Sequence, residues 1–495
     1  VPGRRPEDPA SVEPTGAAGE TTRAAAARRL VAALAPVTSL LTELGGVFVA
    51  AGHRLSLVGG PVRDALLGRT PADLDFTTDA RPEQVRDLLA GWADTQWDVG
   101  ITFGTVGARR GEHVVEVTTY RSEVYRSDSR KPVVTFGDSL EEDLFRRDFT
   151  VNAMALDLPG LGFVDPYGGL GDLADRRLRT PGLPEDSFTD DPLRMMRAAR
   201  FAAQLGFAVD PAVAAAVSAL ADRIEIVSAE RVRDELVKLV KSPRPRAGLT
   251  LLVDSGLADR VLPELPTLRL EIDEHHRHKD VYEHTLTVLE QAIALEPDGP
   301  DLVLRLAALL HDIGKPKTRR FEPGGGVSFH HHEVVGAKLA AARLRQLRFP
   351  KHVVDEVARL VELHLRFHGY GTGVWTDAAV RRYVADAGPL LEQLNRLTRS
   401  DCTTRNRRRA EALRRSYDDL EERIARLREQ EELDSIRPDL DGNDIMTILG
   451  LPPGPVVGRA WRHLKEQRLE RGPMSRDAAV AELRRWWAEQ PEASA

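Results

Sequence analysis

Along most of the 495 residues, apolar positions recur every three or four places, and only one stretch breaks that rhythm. Between about 55 and 158, short β-branched runs alternate with turns, at 55–58, 74–77, 105–108, 114–119 and 154–158. Short runs of this kind, bounded by turn residues, read as strands, so one sheet is expected here. A helical stretch at 26–49 precedes it. From about 190 onward the strand signals nearly vanish. Residues 191–205, 212–221, 229–240 and 247–255 have the period of amphipathic helices, punctuated by Pro243, Pro245, Pro263 and Pro266. A second helical block at 275–400 is rich in histidine, 404–432 reads as one long charged helix, and 440–495 is helical with a loop at 452–455. No internal repeat is evident. The expected fold class is α+β: an N-terminal domain with one mixed β-sheet, followed by all-α domains.

Composition narrows this picture. At about 100–200 residues per domain, the length implies roughly three domains, not one. With 42% hydrophobic and 29% charged residues, the chain is core-forming and not disordered. The net charge of −7 does not advertise nucleic-acid binding, yet arginines gather at Arg194, Arg197, Arg200, Arg231 and Arg233, and again at Arg405, Arg407, Arg408 and Arg409. Phosphate binding needs a local basic surface, not a basic total. Cys402 is the only cysteine, which excludes an intrachain disulfide and a Cys-ligated zinc site. There is no apolar run of about 18 residues, so no membrane role is expected and the cytoplasm is. Residues 1–25 read as a disordered leader.

The chemistry begins at Val58-Gly59-Gly60-Pro61-Val62-Arg63-Asp64, followed by Asp73-Leu74-Asp75. A strand runs into two glycines and then a helix. Gly59 and Gly60 let backbone approach a triphosphate, Pro61 suits the first helical position, and Arg63 is expected to clamp phosphate. On a strand, residues i and i+2 share a face, so Asp73 and Asp75 point together while Leu74 enters the core. Two carboxylates so placed suit two Mg²⁺ ions, one for the attacking hydroxyl and one for the triphosphate.

With these motifs at this spacing, the sequence resembles the class II CCA-adding and bacterial poly(A) polymerase family of nucleotidyltransferases, over roughly residues 45–400. Glu116-Val117-Thr118-Thr119-Tyr120-Arg121 and Arg146-Arg147-Asp148-Phe149-Thr150-Val151-Asn152-Ala153-Met154-Ala155 follow in family order. The resemblance implies that Arg147 touches nucleotide phosphate or ribose and that Glu116 lies near the metals, a salt bridge to an arginine being its plainer role. Asp190-Asp191-Pro192-Leu193-Arg194-Met195-Met196-Arg197-Ala198-Ala199-Arg200-Phe201 looks like the family's nucleotide-selecting helix; the family often has Glu where Asp190 stands. Asp191 and Arg194, spaced i, i+3, share a helix face. A carboxylate accepts hydrogen bonds and a guanidinium donates them. Cytosine and adenine each present an exocyclic amine beside a ring-nitrogen acceptor, whereas uracil and guanine present the opposite polarity. The pair can therefore favour CTP and ATP without a nucleic-acid template. Arg197 and Arg200 are expected to continue that face toward the triphosphate.

The histidine block carries His284, His311-Asp312-Ile313-Gly314-Lys315, His330-His331-His332, His364 and Asp401. Imidazoles with carboxylates suit a divalent transition-metal or mixed di-metal site. The order resembles the HD superfamily of metal-dependent phosphohydrolases, which implies His284, His311, Asp312 and Asp401 as ligands, with His332 and His364 completing a second position. Which of His330, His331 and His332 coordinates is open, and His275, His276 and His278 are unassigned. A metal held there, Mg²⁺ or a transition metal, would activate water for phosphoester hydrolysis; the alternative is an inactive HD fold that supports RNA.

The expected domains are thus a leader (1–25), a nucleotidyltransferase head (26–180), a nucleotide-selecting neck (181–270), an HD-like metal domain (271–402) and a helical RNA-contacting tail (403–495). The expected reaction is addition of C, C and A to a tRNA 3′ end from CTP and ATP, with release of pyrophosphate. The partners are tRNA, CTP and ATP, and the sequence leaves the oligomeric state open. Poly(A) polymerase and partial CC- or A-adding activity are the alternatives within the family. Bacterial poly(A) polymerases tend to carry a basic Gly-Arg/Lys-Arg/Lys-Phe segment before the third strand. Here Gly100-Ile101-Thr102-Phe103-Gly104-Thr105-Val106-Gly107 stands instead, closer to the CCA-adding form. A metal phosphohydrolase with a nucleotide-sensing head is the rival from another class; it predicts a broken Asp73/Asp75 pair, which is intact.

Overall fold

The computed structural model describes residues 16–71, 73–98, 100–101, 104–124, 133–270, 280–323, 326–369, 375–403, 406–431 and 437–494. The chain divides into two compact units, residues 1–227 with 254–257, and residues 228–253 with 258–495. Residues 1–15 of the expected leader, Arg405, and His275, His276 and His278 lie outside the described residues.

The first unit opens with α1 (Gly16–Ala33) and α2 (Thr38–Ala50). Helix α1 begins inside the expected disordered leader. Its run of Ala and Arg is strongly helix-forming, and Leu30, Leu34, Leu41, Leu44 and Phe48 of this region are buried. Then come β1 (Leu55–Val58), α3 (Gly60–Leu66), β2 (Leu74–Thr78), α4 (Pro82–Ala90), β3 (Thr95–Trp97), β4 (Thr105–Arg110), β5 (His113–Thr119), β6 (Arg121–Val124), β7 (Val133–Phe136), α5 (Leu140–Phe145), β8 (Ala155–Leu158) and β9 (Gly162–Val164). Seven strands form one sheet in the order β3-β4-β5-β2-β1-β8-β9, and β6 pairs with β7 apart from it. The sheet is mixed: β2 and β5 are parallel, and its other pairs are antiparallel. All of β1 is buried, as a central strand covered on both faces requires. Helices α6 (Gly169–Ala174), α7 (Pro184–Asp190), α8 (Leu193–Leu205) and α9 (Pro211–Ala219) follow, with a small parallel pair, β10 (Arg177–Leu178) and β11 (Ala208–Val209).

The second unit is helical: α10 (Ala229–Val240), α11 (Pro245–Asp254, all but its last residue), α12 (Ala258–Val261), α13 (Val281–Ala294), α14 (Leu302–Leu310), α15 (Lys315–Thr318), α16 (His332–Gln346), α17 (Lys351–Leu363), α18 (Asp377–Ala387), α19 (Leu391–Ser400), α20 (Arg407–Glu431), α21 (Gly442–Leu449), α22 (Pro455–Arg471) and α23 (Arg476–Ala488). A short antiparallel pair at Arg320–Phe321 and Val327–Ser328 is its only sheet among the described residues. The tail has its own small core of Leu440, Ile445, Ala460, Leu464, Ala479 and Leu483. No single described helix is long and apolar enough to cross a membrane.

Candidate active site

The parallel pairing of β2 with β5 sets Asp75 directly beside Glu116, while Leu74 pairs with Val115 and Phe76 with Val117. Leu74 and Phe76 are buried, so the alternation sends Asp75 and Thr77 to the other face. Asp73 lies one residue before β2, in an exposed bend. The pair therefore straddles the start of the strand and does not sit wholly on it. Burial raises the Asp75 carboxyl above the usual range; Arg147 pulls it back, and Glu116 and Asp73 push it up again. A carboxyl held up by burial and like charges is relieved by a cation.

Arg147 reaches this site past Gly59. A Cβ on Gly59 would lie 2.9 Å from the Arg147 guanidinium, and its φ of +76° is a value that side chains resist. Asp143 on α5 holds Arg147 there. Its fully buried carboxylate accepts from Thr77 Oγ1 at 3.1 Å, Arg121 N at 3.4 Å, Arg146 Nη2 at 2.6 Å and Arg147 Nη2 at 3.3 Å. Although burial opposes ionisation, Arg146 and Arg147 hold this carboxyl below its ordinary value. Asp143 thus ties Thr77, two residues from Asp75, to the arginine expected at the nucleotide.

Two of the arginines expected at phosphate are turned into the protein. Arg63 is buried, donating to Asn152 Oδ1 at 2.6 Å and to Asp64 at 2.9 Å, with its guanidinium 5.2 Å from the Phe201 ring. A buried guanidinium must be satisfied inside the protein, and here Asn152 and Asp64 hold Arg63 against α3. Arg200 is also buried, donating to Gln204 and lying 3.9 Å from the Phe201 ring. At about 100° per residue, each step of three falls back roughly 60°; two steps from Arg194 carry Arg200 off the accessible face. Arg197 stays partly exposed and donates to Asp148 at 2.7 Å. That contact holds the Asp148 carboxyl well below its usual range despite complete burial.

Asp191 and Arg194 do not share a regular helix. Asp191 terminates α7 in an extended conformation, and α8 starts at Leu193. The Asp191 side chain accepts from Leu193 N at 3.2 Å and its carbonyl from Arg194 N at 3.0 Å. Arg194 donates to the Ser187 carbonyl and hydroxyl and to the Arg146 carbonyl. A guanidinium has five N–H donors, so donors remain for a ligand. Arg147 and Arg194 line one cleft of about 480 Å³, together with Arg121, Arg146, Phe145 and Tyr167.

In the second unit the imidazoles and carboxylates converge from helix ends. His311 caps α14, His332 opens α16, His364 caps α17, Asp401 caps α19, and His284 projects from α13. His284, His311 and Asp401 form one group with ligand atoms within 4.8 Å of one another, and Asp312, His332 and His364 form another. Nδ1 of His311, His332 and His364 lies 2.9, 2.8 and 2.6 Å from the carbonyls of Ala308, Phe329 and Val361. A carbonyl only accepts, so Nδ1 carries the proton and Nε2 keeps its lone pair. Nε2 of His311 and His332 faces the Asp312 carboxylate at 3.2 and 3.4 Å, and Nε2 of His364 is buried without a hydrogen-bond partner, a set that a metal ion satisfies. Burial, reinforced by His311, pushes His364 down to about 3. Asp312 and Asp401 stay ionised against burial, through His311 with Lys315 and through His284 with His311 respectively. Of the three successive histidines, His332 is the inward one; His330 and His331 are exposed, and His331 has a φ of +60°. Gly314 is required here, because a Cβ would lie 2.1 Å from the His332 carbonyl.

Comparison with known proteins fits this geometry. Residues 55–179 match the poly A polymerase head domain, 206–268 the probable RNA and SrmB- binding site of polymerase A, and 281–427 the HD domain. The chain is 37% identical to an A-adding tRNA nucleotidyltransferase of Deinococcus radiodurans over 446 residues, covering 88% of this chain and 96% of that protein. The chain belongs to the tRNA nucleotidyltransferase family. A CC-adding member from Thermus thermophilus is 35% identical over 87% of this chain and 93% of its own. A crystal structure of the Bacillus stearothermophilus CCA-adding enzyme in complex with CTP superposes with a TM-score of 0.67 at 26% identity, covering 91% of this chain and 97% of that one. Like its family, the chain is a nucleotidyltransferase that uses divalent metal.

Sequence reasoning missed Asp143, Asp148 and Asn152. Asp148 and Asn152 lie within a quoted motif, and both are buried acceptors for arginines of that motif and its neighbours. For Asp148 and Asn152 the available signal was their place among the arginines of that motif; Asp143 lies outside it.

Proposed function

We propose that this nucleotidyltransferase adds C, C and A to the 3′ end of tRNA, using CTP and ATP and releasing pyrophosphate. The observation that carries the reading is the pairing of Asp75 with Glu116 beside Asp73, in the same unit as the Asp191–Arg194 junction. Mg²⁺ held by Asp73 and Asp75 would lower the pKa of the attacking 3′-hydroxyl and neutralise the triphosphate. Arg147, held by Asp143, binds phosphate or ribose. Asp191 accepts from the exocyclic amine of cytosine or adenine, and Arg194 donates to the ring nitrogen. Uracil and guanine would leave both groups unpaired, which is a strong penalty for a site built to hydrogen-bond. The tail would contact the acceptor and T arms through phosphates and 2′-hydroxyls.

Incubation with tRNA ending at the discriminator base, supplied with CTP and ATP singly and then together, tests this. Three nucleotides added in the order C, C, A support it; a long A tail from ATP alone overturns it. Addition of only CC or only A gives the second reading, which similarity to CC- and A-adding proteins over nearly their whole length favours. Asp73→Ala should abolish addition.

For the second unit, the buried Nε2 atoms fit a divalent ion held by His284, His311, Asp312 and Asp401, with His332 and His364 beside it. Such an ion would activate water against a phosphoester. Loss of both addition and any phosphatase activity in Asp73→Ala would contradict two separate sites.

A further inference from the structure

The cleft that holds Arg147 and Arg194 has an apolar wall that nucleotide selection leaves unused. Phe145, the last residue of α5, is 52% exposed, and Leu183 is 66% exposed. Among the described residues, six large hydrophobics stand out as exposed, and these two line the same cleft. The Phe145 ring lies 5.5 Å from that of Tyr167, tilted by 55°. Tyr167 is fixed: its hydroxyl donates to the Glu141 carbonyl at 3.0 Å, and its ring packs on the cluster of Tyr120, Leu140 and Leu144. Gly182 abuts the opposite edge of Phe145, where a Cβ would be 2.7 Å from Cζ. The phenyl ring is thus positioned by its neighbours yet open to the cleft.

We propose that Phe145, backed by Tyr167, is the stacking platform for the 3′-terminal base of the RNA being extended. This rests on the nucleotidyl-transfer reading of the cleft. Four arginines and four carboxylates line it; that balance suits a base better than a triphosphate. The incoming nucleotide needs a hydrogen-bond code, which Asp191 and Arg194 can supply. An aromatic face carries no such code and accepts every base. The RNA end needs that tolerance, because its last base changes with each addition.

The test uses the full chain without nucleotide and an acceptor-arm RNA hairpin carrying 2-aminopurine as its 3′-terminal base. Wild type should quench the probe on binding. Phe145→Ala should abolish the quench and weaken RNA binding roughly 5- to 150-fold, the span of one base–aromatic stack. Its KM for CTP should stay within twofold, and Phe145→Trp should restore the quench. Because the side chain is half exposed, melting curves should coincide, which separates the effect from misfolding. Unchanged quench and affinity in Phe145→Ala overturn the proposal. So does a raised KM for CTP or ATP with RNA binding intact, which would place the incoming base on the ring. A wild type that quenches but adds no nucleotide refutes the addition reading and leaves the platform standing. A wild type that adds nucleotides with a quench indifferent to residue 145 refutes the platform alone.

Discussion

Replacing Asp143 by Asn changes one atom and should release one arginine. The Asp143 carboxylate uses Oδ1 for two bonds to Arg146, at 3.1 and 2.6 Å, and Oδ2 for Thr77 Oγ1 at 3.1 Å and Arg147 Nη2 at 3.3 Å. An asparagine amide can keep its oxygen on Arg146 and turn its NH₂ toward Thr77, whose hydroxyl also accepts. Arg147 then faces a donor and lets go. One hydrogen bond to a charged group contributes about 1.5–3 kcal/mol. Arg147 is 22% exposed and regains some water, so the net loss should be near 2 kcal/mol, at the lower end of that range. A misplacement of about 1 Å in a positioning group can cost roughly 10²-fold, so kcat/KM for CTP should fall about 10- to 100-fold. The pH dependence has a definite sign. Because Asp143 has a folded-state pKa below its unfolded value, its stabilisation is complete above the unfolded value of about 3.9 and is lost as pH falls through the folded value. Chemical denaturation of wild type and variant should therefore differ by a constant amount from neutral pH down to about pH 5, and converge below that. A variant with wild-type stability and kcat/KM within twofold of wild type would refute the assignment.

Two further expectations follow from the geometry. Gly59→Ala places a side chain at φ +76° and 2.9 Å from the Arg147 guanidinium; backbone strain alone costs roughly 1–2 kcal/mol, and nucleotide addition should fall at least about 10-fold by the same misplacement of Arg147, whereas an active, fully stable variant would show that Arg147 needs no such passage. His332→Ala should lower the Co²⁺ retained after loading and dialysis, measured by elemental analysis, while the exposed His331→Ala should retain as much as wild type; equal retention in the two variants would contradict the inward placement of His332.

The orientation of Asp75 was readable because strand alternation is rigid: whatever the tertiary context, Asp75 had to oppose Leu74 and Phe76, whereas Asp73 falls in the bend before the strand. Its neighbour Glu116 was legible only through resemblance, since a parallel pairing of β2 with β5 cannot be deduced from either strand alone. The strands at 95–97 and 162–164 escaped notice because three residues are too few to show alternation, and Thr95 and Gln96 are exposed. The inward turn of Arg63 and Arg200 was not legible for a different reason. Sequence counts charges but not their direction, and both guanidiniums turn inward onto Phe201. Asp143 gave no signal at all: within Ser139-Leu140-Glu141-Glu142-Asp143 it reads as one more acid in the first turn of a short helix, and only the fold sets it against Thr77. The choice among His330, His331 and His332 was settled by backbone, because the left-handed turn at His331 aims the next residue inward.

The two proposed metal sites differ in how far their ligands are arranged without an ion. In the second unit each of three imidazoles is oriented by a carbonyl, and His311, Lys315 and His284 keep the carboxylates beside them ionised. Such a site is preorganised, and a metal enters it without rearrangement of its ligands. In the head, Asp75 is raised by burial and by Glu116 and Asp73, and Asp73 remains exposed in a bend. Arg147 offsets part of that repulsion, and a bound divalent ion would relieve the rest. The histidine cluster, in the other unit, sets its carboxylates against imidazoles instead.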